Sequence, residues 1–202
     1  MAVLLDAFTN NSFDTALWTR VETTGTVVEQ NNRLEFIYST GYPGTAYVDS
    51  VSTVNVTGDE VYLKLEVVPN SATYFRLALV DASGDGWAWR INRVSNTMQA
   101  QTISGNVYSD VTVYTDFAVA THVWLRLREA GGTIFWDFST DGTSFTNRQS
   151  TAKPGNVDLT AMTIRFGQFQ SDATGTFAVS NLYGPAFAGG GSARFRPYFI
   201  TG

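Results

Sequence analysis

Apolar and polar positions alternate with period two along most of the chain. Leu34, Phe36 and Tyr38 alternate with Arg33 and Glu35, and Val61, Leu63, Leu65 and Val67 with Tyr62, Lys64 and Glu66; Phe75, Leu77 and Leu79 continue the pattern around Arg76. Successive side chains of a strand point to opposite faces, so each run is a strand with one buried side. Further strands are predicted over 87–94, 98–103, 111–114, 162–169 and 177–183. Turns are predicted at Tyr42-Pro43-Gly44, Thr57-Gly58-Asp59, Ser104-Gly105-Asn106 and Asp141-Gly142. No segment sustains a helical apolar period, although residues 11–17 can form a single turn. Roughly ten to twelve strands result, a number that closes most simply as an all-β, two-sheet antiparallel jelly-roll sandwich.

The stretch WLRLREAGGTIFWDF, residues 124–138, reads as a hairpin. With residues 129–132 as its loop, Leu127 falls opposite Ile134, Leu125 opposite Trp136 and Val123 opposite Phe138, an apolar face. The reverse face carries Arg128 opposite Thr133, Arg126 opposite Phe135 and Trp124 opposite Asp137. A second pairing, Leu79 with Trp89 and Leu77 with Ile91, leaves Tyr74, Arg76, Arg90 and Asn92 away from the core, with Trp87 at the end of the preceding loop as a further stacking platform. More rings and guanidiniums face outward than one core can use. Flat rings beside planar hydrogen-bonding groups suit sugar recognition, and Tyr, Trp and Arg are also enriched where subunits meet. Tyr74, Arg76, Trp87, Arg90, Asn92, Trp124 and Arg126 are therefore the candidate glycan- or partner-binding residues.

Composition narrows the classes. A chain of 202 residues buries one sizeable core without staples, and the absence of cysteine excludes disulfides, thiolate zinc sites and thiol nucleophiles. The net charge is −5 and the 13 Lys and Arg form no long basic run, so nucleic acid is not an expected partner. No run approaches the ~20 apolar residues of a membrane span, and no membrane association is expected. The opening MAVLLDAFTNNSFD lacks the basic and apolar regions of a secretory signal, so synthesis in the cytoplasm is expected.

After Tyr183 the chain changes character: GPAFAGGGSARFRPYFITG runs from a Gly/Pro break through a glycine linker to alternating basic and aromatic residues. The expected division is a β-sandwich over 1–185 and a linker with a docking tail over 186–202. In the tail, Arg194, Phe195, Arg196, Tyr198 and Phe199 either fold back on their own sandwich or, the favoured reading, dock on a neighbouring subunit by strand addition, which makes a homo-oligomer.

The segments HVWLRLREAGGTIFWDFSTDGTSF (122–145), DAFTNNSFDTALWTRV (6–21) and GTFAVSNLYG (175–184) resemble the concanavalin A-like lectin and glucanase superfamily, the laminin-G-like jelly rolls, over about residues 6–184. The resemblance implies the fold and leaves lectin, glycanase and scaffolding roles open, since that fold hosts all three. The chain also resembles laminin-G-like minor tail and decoration proteins of bacteriophage virions. That resemblance implies a non-enzymatic structural or adhesion component of a virion, partnered by other virion proteins and host-surface polysaccharide. The alternative is a free-standing carbohydrate-binding module or glycanase of the same fold.

Glycanases of this superfamily carry a Glu-x-Asp-x-x-Glu type run, because one carboxylate attacks while another protonates. The chain has no such run: Glu22, Glu35, Glu60, Glu66 and Glu129 lie apart, as on solvated strand faces, although carboxylates of different strands can still meet. No catalytic residue is assigned. His122, the sole histidine, borders a strand and reads as an edge residue. Two loops share the spacing Asp-x-Ser-x-Asp-Gly, at Asp81, Ser83, Asp85, Gly86 and at Asp137, Ser139, Asp141, Gly142. Oxygens at alternate positions suit calcium, with Asp81 and Asp85 as candidate ligands; Asp-Gly is equally the sequence of a tight turn.

Overall fold

The computed structural model describes residues 2–38, 44–69, 73–171 and 174–188. In chain order the strands are β1 (Val3–Asp6), β2 (Trp18–Glu22), β3 (Gly25–Gln30), β4 (Arg33–Tyr38), β5 (Ala46–Ser50), β6 (Glu60–Val67), β7 (Thr73–Val80) and β8 (Gly86–Asn92). They continue as β9 (Thr97–Ser104), β10 (Val107–Tyr114), β11 (Trp124–Ala130), β12 (Thr133–Ser139), β13 (Thr146–Ala152), β14 (Thr163–Ser171) and β15 (Gly175–Gly184). The first sheet runs β13-β12-β11-β6-β15-β4-β3, with β1 added to β15, and the second runs β10-β9-β8-β7-β14-β5-β2. All pairings are antiparallel, and the two sheets form the expected sandwich.

Period-two alternation places one set of side chains between the sheets. Trp18, Phe36, Phe75, Trp87, Trp89, Trp136, Phe166 and Phe177 are fully buried there. Two tryptophans also tie the layers by hydrogen bonds, which a buried indole N–H requires. Trp89 Nε1, from the second sheet, donates to the carbonyls of Arg126 and Asp137, both at 3.1 Å, and Trp136 Nε1 donates back to Ala88 O at 2.7 Å. The single turn expected over 11–17 appears where the amides of Leu17 and Trp18 both bond Asp14 O. The packed chain continues past β15 to Ala188: Phe187 is buried edge-on against Trp18, with ring centroids 5.9 Å apart. The tail residues Arg194, Phe195, Arg196, Tyr198 and Phe199, and Tyr42-Pro43 of one expected turn, lie outside the described residues.

Both expected registers are two residues off. β11 and β12 pair Leu127 with Trp136, Leu125 with Phe138, Arg126 with Asp137, Arg128 with Phe135 and Trp124 with Ser139. The cause is the turn, which is two residues long rather than four: Gly131 and Gly132 have φ of 59° and 79°, the positive pair that a type I′ hairpin needs. Likewise β7 and β8 pair Leu77 with Trp89, Leu79 with Trp87 and Phe75 with Ile91. A slip of two changes every partner but no face, so the division into inner and outer side chains survives.

Three side chains leave the surface expected for them. Trp87 is inside a strand, not a loop; β8 starts at Gly86, so Trp87 shares the inward parity of Trp89 and Ile91. Glu129 belongs to β11 with the parity of Leu125 and Leu127, and its buried carboxylate accepts from the Gly58 amide at 2.5 Å and the Gly132 amide at 2.7 Å. Glu35 is buried beneath Gln30, Asn31 and Arg33, which donate to it and hold its carboxyl below the usual range.

Candidate functional site

The candidate residues divide between the two opposite outer surfaces of the sandwich. Trp124 and Arg126, on β11, face outward from the first sheet. There the Tyr62 ring stacks on Tyr183 at 4.8 Å and 11°, and meets Phe145 at 5.3 Å and Trp124 at 6.1 Å. The Arg126 guanidinium lies 4.0 Å over Phe145 and pairs with Glu60 at 2.9 Å and with the buried Asp137 at 2.8 Å. Asp137 also accepts from Arg128 at 3.2 Å and Asn147 at 2.8 Å. A hollow of about 400 Å³ at the end of this surface is lined by Gly58, Asp59, Glu60, Tyr62 and Arg128. Of its polar lining, Glu60 and Arg128 already serve that ion-pair network. On this surface the rings pack against one another and the guanidiniums are paired with carboxylates.

The second sheet carries Tyr74, Arg76, Arg90 and Asn92 outward, as expected, and joins them to residues that the sequence reading did not single out. The Tyr108 hydroxyl on β10 comes within interaction range of the Arg165 guanidinium on β14. Those strands are four spacings apart, which at ~4.8 Å each is roughly 19 Å across a flat sheet, more than the two side chains can bridge. The sheet therefore curls, and this outer face is its concave side. The floor is kept low by Ala78 and Ala88, both fully buried, and by Gly167. At Gly167 φ is +147°, and a Cβ would stand 2.5 Å from Tyr47 Cα.

Across this floor, rings and guanidiniums interleave. Arg165 is held to Asp49 by two hydrogen bonds of 2.7 and 2.9 Å, which raise its pKa further. Tyr47 stacks on Phe169 at 4.8 Å and 18°. The Arg76 guanidinium lies 4.2 Å from the Tyr108 ring and 5.2 Å from Phe169, and its Nε donates to Gln101 Oε1 at 3.1 Å. Gln101 in turn donates to Asp110 at 2.7 Å. Burial first, then the nearby Arg90 charge, pushes Arg76 down to about 10, so it is still a cation at neutral pH. Arg90 sits 4.2 Å over the Tyr74 ring. Its Nε, and Oε1 of its cross-strand neighbour Gln99, are buried with no hydrogen-bond partner in the protein, a costly state for either atom. Asn92 is less free than expected, because its Oδ1 accepts from the amides of Val94 and Ser95 and shapes the β8–β9 turn.

The remaining candidates have structural occupations. Asp81 Oδ1 accepts from the Ser83 and Asp85 amides at 2.8 and 3.0 Å and Oδ2 from the Asp158 amide at 2.9 Å, while Asp85 Oδ1 accepts from the Gly105 amide at 2.8 Å. These carboxylates pin loops together, and among the described residues no group of three or more His, Cys, Asp or Glu is placed to hold a metal. Asp141 caps its own turn through the Thr143 and Ser144 amides and Ser139 Oγ, which hold its carboxyl well below the usual range. His122 is buried between Phe117 and Phe138, its Nδ1 against the Ala118 backbone, and burial lowers its pKa.

No family model and no curated protein matches the sequence. Solved structures do match. One, from work on endo-acting O-glycanases with which human gut bacteria initiate mucin breakdown, superposes with a TM-score of 0.69 at 10% identity over 93% of this chain and 98% of that one. A prokaryotic β-1,3-1,4-glucanase (lichenase) from a mouse hindgut metagenome gives 0.66 at 8% identity, over 92% and 97%. The Ca²⁺-bound exoplasmic/lumenal domain of VIP36 gives 0.64 at 11%, over 91% and 89%. The fold is the concanavalin A-like jelly roll of lectins and glucanases. At these identities the likeness is one of fold. A retaining cleft needs two carboxyl groups about 5 Å apart. Among the described residues of this sheet, the outward carboxylates include Asp49, whose oxygens are both engaged by Arg165, and Asp110, bonded to Gln101.

Proposed function

We propose that the protein is a saccharide-binding β-sandwich that takes its ligand on the concave face of the second sheet and does not cleave it. The observation that carries this reading is the coexistence there of ring faces, Tyr74 and Tyr108 among them, with buried polar atoms, Arg90 Nε and Gln99 Oε1, that have no partner within the protein. Rings supply stacking surfaces for sugars, and orphaned donors and acceptors recover their hydrogen bonds when hydroxyls arrive. Some neighbours of the fold are glycanases, and a VIP36 form carries Man2 with Ca²⁺, which supports carbohydrate as the ligand class. Affinity electrophoresis against a panel of neutral and acidic polysaccharides tests the proposal. Retardation by at least one polymer, weakened about tenfold by Tyr74→Ala or Gln99→Ala and unchanged by Lys64→Ala on the other sheet, is expected without release of reducing ends. Retardation of none, or steady release of reducing ends, overturns it in favour of a scaffold or of a glycanase respectively.

We extend the proposal to an adhesion role in a bacteriophage virion, supported by the sequence resemblance and by the basic, aromatic segment 194–199. Co-sedimentation of the full chain with purified particles, and its loss on deleting residues 189–202, is the test. A deletion that leaves particle association and self-association unchanged removes the docking role.

A further inference from the structure

Arg33, Arg126, Arg128, Arg148 and Arg165 each have a carboxylate within ion-pair distance. Arg76 and Arg90 stand directly opposite one another on β7 and β8 and form no ion pair with any described residue, and the Asp110 charge acts on Arg76 only from beyond ion-pair distance. The protein has 18 Asp and Glu against 13 Lys and Arg, so carboxylates are not scarce. Like charges in a directly opposed cross-strand pair repel, and a cation partly withdrawn from water without an ion-pair partner is costly. Both are half-buried, and rings flank the guanidiniums: Arg76 lies against Tyr108 and Phe169, and Arg90 lies over Tyr74.

Such a pair is an anion site awaiting its charge. We infer that the saccharide bound on the concave face is acidic, and that a carboxylate or sulfate group of the glycan lies between Arg76 and Arg90. A guanidinium presents two parallel N–H donors, the geometry that planar carboxylates and sulfate oxygens accept. Arg76 spends its Nε on Gln101, which leaves its terminal nitrogens for the ligand, whereas Arg90 has Nε uncommitted as well. Gln99, more than nine-tenths buried beside Arg90, offers Oε1 as an acceptor for a neighbouring sugar hydroxyl. Tyr74 and Tyr108, already under the two guanidiniums, bound the site with ring faces.

This inference rests on the proposed saccharide-binding role, and the experiment separates the two. Binding of the full chain is measured by affinity electrophoresis and calorimetry against uronate polymers (polygalacturonate, alginate), sulfated polymers (dextran sulfate, chondroitin sulfate) and neutral ones (mannan, β-glucan). Arg90→Met, Arg76→Met and Arg90→Lys are compared with the parent, with circular dichroism and melting as checks of folding. The expected result is binding of acidic polymers only. A loss of at least tenfold is expected in either methionine variant, with a smaller loss in Arg90→Lys, which keeps charge but not the fork. Preference between uronate and sulfated polymers identifies the anion, and carboxyl reduction of a bound uronate polymer should abolish its binding. Binding of neutral polymers that the arginine variants leave unchanged overturns the acidic ligand while the saccharide role stands. Binding of acidic polymers with folded Arg90→Met and Arg76→Met at parental affinity overturns the site. Binding of no polymer removes both.

Discussion

Asp137→Asn tests whether the outer surface of the first sheet is a structural layer. The carboxylate is 1% exposed, against 16% for the Arg126 side chain and 28% for Arg128. All three guanidinium contacts, at 2.8, 2.9 and 3.2 Å, converge on Oδ2, while Asn147 donates to Oδ1. An amide placed there with its oxygen toward the arginines turns its NH₂ toward the Asn147 NH₂, so one hydrogen bond is lost and the others lose their charge assistance. Arg126 keeps Glu60 as counter-ion; Arg128 has no second ion-pair partner among the described residues once Asp137 is neutral. Removing one partner of a fully buried pair costs about 3–5 kcal/mol, and the partial exposure of both arginines lowers the expectation to about 3 kcal/mol. For a chain of this length that is a fall in Tm of roughly 6–12 °C. Urea and thermal unfolding read the change, which should persist at high salt because buried pairs are weakly screened. Saccharide binding by the folded variant should be unaltered. A loss below about 1 kcal/mol, or one that salt erases, refutes the account of Asp137 as a buried anchor.

Arg90→Met should raise stability by about 1 kcal/mol while abolishing ligand binding, because lost repulsion and a removed orphan donor outweigh the cation–π contact with Tyr74; a destabilised variant would show the arginine pair to be structural. Glu29 has its pKa raised from 4.5 to about 6 by burial and by nearby Asp6. The folded state thus holds the proton more tightly than the unfolded one, and Glu29 costs stability increasingly as pH rises from 4.5 to 6. Glu29→Gln should match the parent below that window and exceed it by about 1 kcal/mol above it; equal stability at all pH, read by urea midpoints, contradicts the shift. Gly167→Ala should cost about 3 kcal/mol in chemical denaturation, since a methyl group would collide with the Tyr47 backbone across the β14–β5 ladder; a cost below 1 kcal/mol would mean that the ladder yields easily.

The alternation of Leu34, Phe36 and Tyr38, or of Phe75, Leu77 and Leu79, determined by itself which side chains go inward, because strand parity is local and a two-residue slip preserves it. All-β class, sandwich architecture and the outward placement of Tyr74, Arg76, Arg90, Trp124 and Arg126 were legible on that basis. Register was not, since it depended on whether Gly131 and Gly132 both take positive φ and on where β8 begins, which also decided that Trp87 is core. The site needed more still. Trp124 and Arg126 share a sequence pattern with Tyr74 and Arg76, yet strand order sends the two sets to opposite surfaces, and only curvature brings Tyr108 and Arg165 together over one floor. Gln99 and Gln101 repeat at a period of two in β9 and could have been noticed as an outward amide row. Which charges find a partner is settled by side chains from distant strands: Asp137 meets Arg126 and Arg128, while among the described residues no carboxylate comes within ion-pair distance of Arg76 or Arg90. That is a property of three-dimensional neighbours, and no local pattern encodes it.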